Sequence, residues 1–264
     1  MQRRRLASAS LLVGFVLFAS YGVAAAGPRA LLELFTSQGC SSCPPADKLL
    51  AEFAAESSVV ALSLPIDMWD YLGWKDTLAL PGHTLRQRAY ARQRGDRQVY
   101  TPQMVVNGVT HAVGSDRAAI ENAIAQTDRD SAVMSVPVLL SAAGGDFSVT
   151  LKPAPAALTE PVDAEVWLCP LSSAIAVPIG RVENGGRTIT YRNVVRGWHK
   201  LGGYSGAEAT WSVPLSQIVD GHIDGAAVIV QKGSREKPGL VLGAALLPIG
   251  QQITDDRQRT TKVR

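Results

Sequence analysis

Hydrophobic positions along this chain change their rhythm near residue 130. Upstream, compact apolar runs alternate with stretches of helical period: Ala30–Thr36 reads as a buried strand, Pro45–Ala55 as a helix and Val59–Leu64 as a second buried strand. Met104–Asn107 and Val109–Val113 flank Gly108, which predicts a hairpin through Asn107-Gly108. Behind Ser115, a capping residue, Ala119, Ile120, Ala123 and Ile124 recur at helical spacing, and Asp116 suits the positive end of that helix's dipole. Downstream, runs rich in Val, Ile and Thr are cut by Gly, Pro and Asn. The strand candidates are Met134–Leu140, Phe147–Lys152, Ala164–Cys169, Ala174–Ile179, Thr188–Val195, Ala209–Pro214, Ala226–Lys232 and Leu240–Leu247. The chain therefore reads as an α/β part, 27–130, with an insertion at 67–100, then an all-β, sandwich-like part, 131–250, and a charged, disordered tail, 251–264.

Residues 1–26 stand apart. Arg3, Arg4 and Arg5 precede an apolar stretch that ends in Ala24-Ala25-Ala26, the form of a secretory signal, so the protein is expected in the periplasm or outside the cell. Of 26 basic residues, three belong to this segment, while none of the 23 acidic ones does, so the remaining chain is neutral. That balance gives no reason to expect nucleic acid, and no membrane contact beyond the signal segment.

Chemistry concentrates at Cys40-Ser41-Ser42-Cys43, placed directly between the first strand and the first helix. Two cysteines at this spacing can close a small disulfide ring, one sulfur attacking a partner disulfide and the other releasing the product. A structural disulfide and half of a soft-metal site are the other readings of the same four residues. If the first two strands are parallel, the chain leaving the second at Pro65 emerges beside the cysteines, so Asp67, Trp69, Asp70 and Trp74 overhang them. The strand after the insertion opens with Thr101-Pro102 on that same edge, where a cis bond is cheap; a plain turn proline is one reading, and the resemblance to thioredoxin-like proteins, which use a proline there to hold a substrate backbone, implies the other. Glu33 is an acid inside the first strand, costly there unless used or paired; the resemblance to thioredoxin-like proteins implies a proton carrier for the second cysteine, and a solvent-facing strand position is the other reading. The arrangement of β-α-β, insertion, β-β-α predicts a thioredoxin-like domain.

The chain resembles the secreted, thioredoxin-like proteins grouped as domain of unknown function 1223. The likeness rests on Glu33 through Asp47, on Trp69 through Asp76, on Tyr100 through Gly108, and on Glu183-Asn184-Gly185-Gly186-Arg187 with Asn193 through Arg196. It implies a fold and a redox site, with Pro65-Ile66-Asp67 standing where a His-Val-Asp run is expected. The function expected is an extracytoplasmic thiol–disulfide oxidoreductase in which Cys40 attacks, Cys43 resolves, Glu33 assists and Pro102 clamps a protein or small thiol substrate. A Cu(I)-binding protein and a redox-silent interaction module are the alternatives. The basic run Arg86, Arg88, Arg92, Arg94 and Arg97 reads as a solvated helix face, and Cys169 as a buried free thiol. His83, His111, His199 and His222 show no ligand spacing, and no phosphate loop, dinucleotide motif or G-x-S-x-G serine appears, so neither a metal nor a cofactor is expected.

Overall fold

The computed structural model describes residues 27–156, 158 and 162–249; the predicted signal segment and the tail 251–264 lie outside the described residues. The first part contains β1 (Ala30–Thr36), α1 (Pro44–Ala54), β2 (Val59–Pro65), α2 (Pro81–Arg94), β3 (Gln103–Val106), β4 (Thr110–Val113) and α3 (Arg117–Thr127). The second contains β5 (Val138–Ala143), β6 (Asp146–Leu151), β7 (Ala164–Pro178), β8 (Thr188–Val195), β9 (His199–Tyr204), β10 (Ala209–Pro214), β11 (Gly225–Ser234) and β12 (Lys237–Pro248). Among the described residues no helix is long and apolar enough to cross a membrane.

β1 pairs in parallel with β2 and antiparallel with β3, and β3 turns into β4 through Asn107 (φ 50°) and Gly108 (φ 76°), the left-handed pair of a tight hairpin. α3 is capped by Asp116, whose side chain accepts from Ala119 N–H, rather than by Ser115.

A thioredoxin-like α/β domain followed by a separate all-β sandwich is not what forms. Among the described residues twelve strands and three α-helices make a mostly β structure, and its larger sheet, ordered β12-β11-β7-β8-β2-β1-β3-β4 with β9 beside β7, takes strands from both sides of residue 130. The reason is the edge of β2. β8 lies parallel to it at Ser63 and Val194, and the Asn193 amide donates to Ala61 O at 2.9 Å, so the sheet continues instead of ending in solvent. Ala164–Cys169 and Ala174–Ile179 are one strand, β7, of 15 residues. Pro170 interrupts the sequence pattern but falls where β7 exchanges one neighbour, β9 (Leu168 opposite His199), for another, β8 (Leu171 opposite Val195). At that changeover its missing N–H breaks no ladder bond. The smaller sheet, β10-β6-β5, lays Phe147, Val149 and Leu151 against Val166, Leu168, Val228 and Leu242 of the larger one.

Both faces of β1 are therefore covered. Ala30, Leu32 and Leu34 pack with α1 and α3, while Leu31 and Phe35 pack with Tyr90 of α2, Trp167 and Ile229. Strand alternation sends Glu33 to the second face, away from α1, where it is fully buried. Arg86 answers it with Nε at 2.7 Å and Nη2 at 3.1 Å, Tyr90 donates its hydroxyl to the same carboxylate, and Arg86 also donates to Gln231 Oε1 at 2.9 Å. The guanidinium lies over the rings of Trp198 (4.4 Å) and Tyr90 (4.8 Å). Arg86 is thus not part of a solvated face; Arg88 and Arg92, on the other side of α2, are exposed.

Replacing Arg86 by Met strands the Glu33 carboxylate and should lower unfolding free energy by about 3–5 kcal/mol, whereas Glu33→Leu with Arg86→Met should recover most of that loss. Urea titrations check it, and a double variant no more stable than the single would refute it.

Candidate functional site

The loop from Ser37 to Cys43 leaves β1 in two tight turns, closed by Cys40 N–H on Ser37 O and Cys43 N–H on Cys40 O, each at 3.2 Å. Cys43 is the N-cap of α1, and Pro44 and Pro45 occupy the first turn, where the proline's missing N–H is not needed. Cys40 and Cys43 are joined as a disulfide with Cα atoms 5.4 Å apart. Cys43 is fully buried and Cys40 only 3% exposed.

The segment after β2 closes over this loop. A Cβ on Gly39 would stand 2.8 Å from Trp69 Cβ, so only glycine admits the overhang at that contact. Trp69 Nε1 donates to Thr101 Oγ1 at 2.8 Å, tying the overhang to the start of β3, and the exposed Tyr71 ring stacks on Trp69. The Thr101–Pro102 peptide bond is cis. Pro102 and Ala46, in the first turn of α1, both flank Gly114: a Cβ there would meet Pro102 Cβ at 3.0 Å and Ala46 Cβ at 3.1 Å.

Below the loop, Asp76 accepts from the N–H groups of Gln38 (2.8 Å), Leu78 (2.9 Å) and Ala79 (3.1 Å), and Asp70 accepts from Asp76 N–H at 3.0 Å. Trp74 Nε1 donates to Gln38 Oε1 at 2.8 Å. A residue from the other part of the chain completes the cradle: Asn184, between β7 and β8, donates its amide to Gln38 O at 3.0 Å and Cys40 O at 2.8 Å. Arg187 in turn donates to Asn184 Oδ1 at 3.2 Å.

Of the residues singled out in the sequence, Cys40, Cys43, Trp69, Asp70, Trp74, Thr101 and Pro102 come together on one edge. Two do not. Asp67 accepts from Thr84 of α2 at 2.7 Å, and Glu33 lies on the opposite face of the sheet, engaged with Arg86. Two buried acids lie on the disulfide's side: Asp76, whose oxygens accept from three backbone N–H groups, and Asp47, one helical turn beyond Cys43, its N–H bonded to Cys43 O at 3.0 Å. Asp47 is 3% exposed, and among the described residues neither carboxylate oxygen has a partner in hydrogen-bond geometry. Burial pushes its pKa up to about 7; the Thr36 hydroxyl, itself short of hydrogen-bond geometry, moderates the shift, and Asp76 adds to it. In the sequence Asp47 and Asn184 stand only as members of the motifs that carry the resemblance, with no chemical role attached to either. An acid in the first turn of a helix is ordinary there, and nothing local marks an asparagine that acts across 144 residues. Among the described residues no group of three or more His, Cys, Asp or Glu side chains could hold a metal ion.

The profile of a family described as "Protein of unknown function (DUF1223)" matches residues 31–231. No curated protein matches the chain. Among solved structures it is similar to the crystal structure of protein AGR_C_4864 from Agrobacterium tumefaciens, with 30% identity, a TM-score of 0.75, and coverage of 85% of this chain and 96% of that one. HBP35 of Porphyromonas gingivalis is similar in fold, with a TM-score of 0.56 at 14% identity over 84% of this chain and 76% of that one.

Because the folded Asp47 holds its proton to higher pH than the unfolded chain does, its contribution is present in acid and is lost as pH rises from about 4 through about 7. Burial shifts Asp76 in the same direction. His83, buried with its pKa lowered to about 4, works oppositely, but only below its ordinary value of 6.5. Between pH values of about 6.5 and 8, wild-type stability should therefore fall, and Asp47→Asn should flatten the slope and be about 1–3 kcal/mol more stable at the alkaline end. Urea midpoints across that range decide; parallel curves would remove the charge cost assigned to Asp47.

Proposed function

Since the chain belongs to this family of proteins of unknown function, no activity comes with membership, and we propose from the site itself that the protein is an extracytoplasmic thiol–disulfide oxidoreductase working through Cys40 and Cys43. The observation that carries the reading is the unpartnered, buried carboxyl of Asp47 one turn along the helix that Cys43 caps. A purely structural staple has no use for an acid whose burial is costly and whose proton is held near neutrality.

In the oxidised protein a substrate thiolate attacks Cys40 Sγ, the less enclosed sulfur. The Cys40–Cys43 bond breaks, its electron pair leaves with Cys43, and a mixed disulfide forms at Cys40. The positive end of the α1 dipole favours the departing thiolate, and Asp47 supplies the proton that neutralises it. A second substrate thiolate then attacks the substrate sulfur, releasing a substrate disulfide and Cys40 as thiolate. Two substrate thiols are oxidised while one protein disulfide is reduced; the reverse sequence reduces a substrate disulfide. Trp69, Thr101 and Pro102 form the wall against which the substrate lies. The basic N-terminal leader supports an oxidising location, where such a couple can be maintained.

Purified protein should equilibrate its disulfide with a glutathione redox buffer and exchange with a test disulfide. Cys40→Ser should abolish exchange, and Cys43→Ser should accumulate a mixed disulfide at Cys40, detected by intact mass. Turnover by Cys40→Ser equal to wild type, or a disulfide that no glutathione ratio reduces, would leave the staple reading in its place.

A further inference from the structure

The near-complete enclosure of Cys40 restricts what can reach it, and the ground beside it restricts what would bind. Between α1 and the first half of β8 lies an open cleft of about 440 Å³. Pro44, which follows Cys43, lines one end, and Lys48, Arg187 and Arg192 line its walls. All three cations are exposed, and none is paired with a carboxylate among the described residues. Thr188, Thr190 and Arg192 alternate along β8 and so present two hydroxyls and a guanidinium on one face. The facing edge of β8 is open here, because its pairing with β2 is confined to Val194. Among the described residues the only carboxyl lining the cleft is Asp47, whose oxygens are shielded from solvent. Arg187 is linked through Asn184 to the Cys40 carbonyl, so the cleft and the disulfide share one support.

We infer that this cleft is the subsite for the carboxylate of a small, acidic thiol, and that the protein's substrates are low-molecular-weight carboxylate-bearing thiols and their disulfides rather than folded proteins. This rests on the oxidoreductase reading above. Cys40 is only 3% exposed, in the loop whose Gly39 abuts Trp69, which disfavours approach by the disulfide of a folded partner, whereas a thiol a few atoms long can enter with its charged end held in the cleft. The exchange is the one already written, two thiols oxidised for each protein disulfide reduced, with the acid group as the handle.

Three probes of similar size separate the terms: 3-mercaptopropionate, 2-mercaptoethanol and cysteamine, carrying a negative, a neutral and a positive end. Reduction of the Cys40–Cys43 disulfide is followed by alkylation and mass, each rate being divided by the same thiol's rate with a free aromatic disulfide. The anionic thiol should lead the neutral one by about tenfold and the cationic one by more, a preference that shrinks in about 0.5 M salt. In Lys48→Gln/Arg192→Gln, which spares the Arg187–Asn184 contact, the anionic-to-neutral ratio should fall towards one; an unchanged urea midpoint confirms the fold. Equal normalised rates in the wild type, or a ratio the double variant leaves intact, overturns the inference while the oxidoreductase reading stands. Faster exchange with an unfolded, disulfide-bonded protein than with any small thiol overturns it in favour of polypeptide substrates. No reduction by any of the three sinks both.

Discussion

A carboxylate in a strand covered on both faces has to find its counter-charge inside the protein. Glu33 finds it in Arg86, and much of the architecture depends on that requirement. Arg86 comes from α2, within the segment between β2 and β3, so the pair fixes that segment over one face of β1. Tyr90 and Gln231 fill the remaining hydrogen-bonding positions, the latter from β11. The ion pair contributes little net stability compared with an apolar replacement, but leaving either partner alone is costly, so it discriminates strongly against any other placement of α2. With that face occupied, the opposite one is left for α1, α3 and the dithiol.

The second part of the chain shapes the dithiol loop as directly as the first does. β8 extends the sheet from β2, and the turn before it carries Asn184 beneath the loop, where it binds two successive stretches of backbone carbonyl. Cys40 O keeps the Cys43 N–H without it, but Gln38 O would lose its partner at a cost of about 1–3 kcal/mol, so the asparagine sets the loop's path as well as its stability. Nearby, Trp74 spans both parts, donating to Gln38 while its ring rests on Gly180, two residues beyond β7.

What could be read from the sequence followed how local the determining contact is. Cys40, Cys43, Trp69, Thr101 and Pro102 were legible because parallel pairing of β1 and β2 alone sends the relevant chain ends to one edge. Strand positions in the second part were also visible, with Thr188–Val195 and Ala209–Pro214 matching β8 and β10. Membership of a sheet was not, because apolar alternation marks a strand without naming its neighbour, and this is why one continuous sheet was mistaken for two architectures. β9 escaped because Gly202 and Gly203 dilute its pattern. The side taken by Glu33 was hidden for a related reason: a strand apolar on both faces has no polar face to set its phase. Asp47 and Asn184 owe their character to burial, which only the folded chain creates.

Asn184 also has a bearing on the order in which the molecule can be made. It is separated by 144 residues from the carbonyl it holds at Cys40, and Gln231 by 145 from Arg86. A chain that emerges amino end first has its two cysteines available long before either support exists, and closing so long a loop comes late in folding. Until then the cysteines sit on an unsupported segment, free to pair and re-pair with whatever thiols surround them. The sheltered disulfide of the folded protein is thus a property of the completed polypeptide, and a fragment ending near residue 130 would carry the cysteines without their shelter.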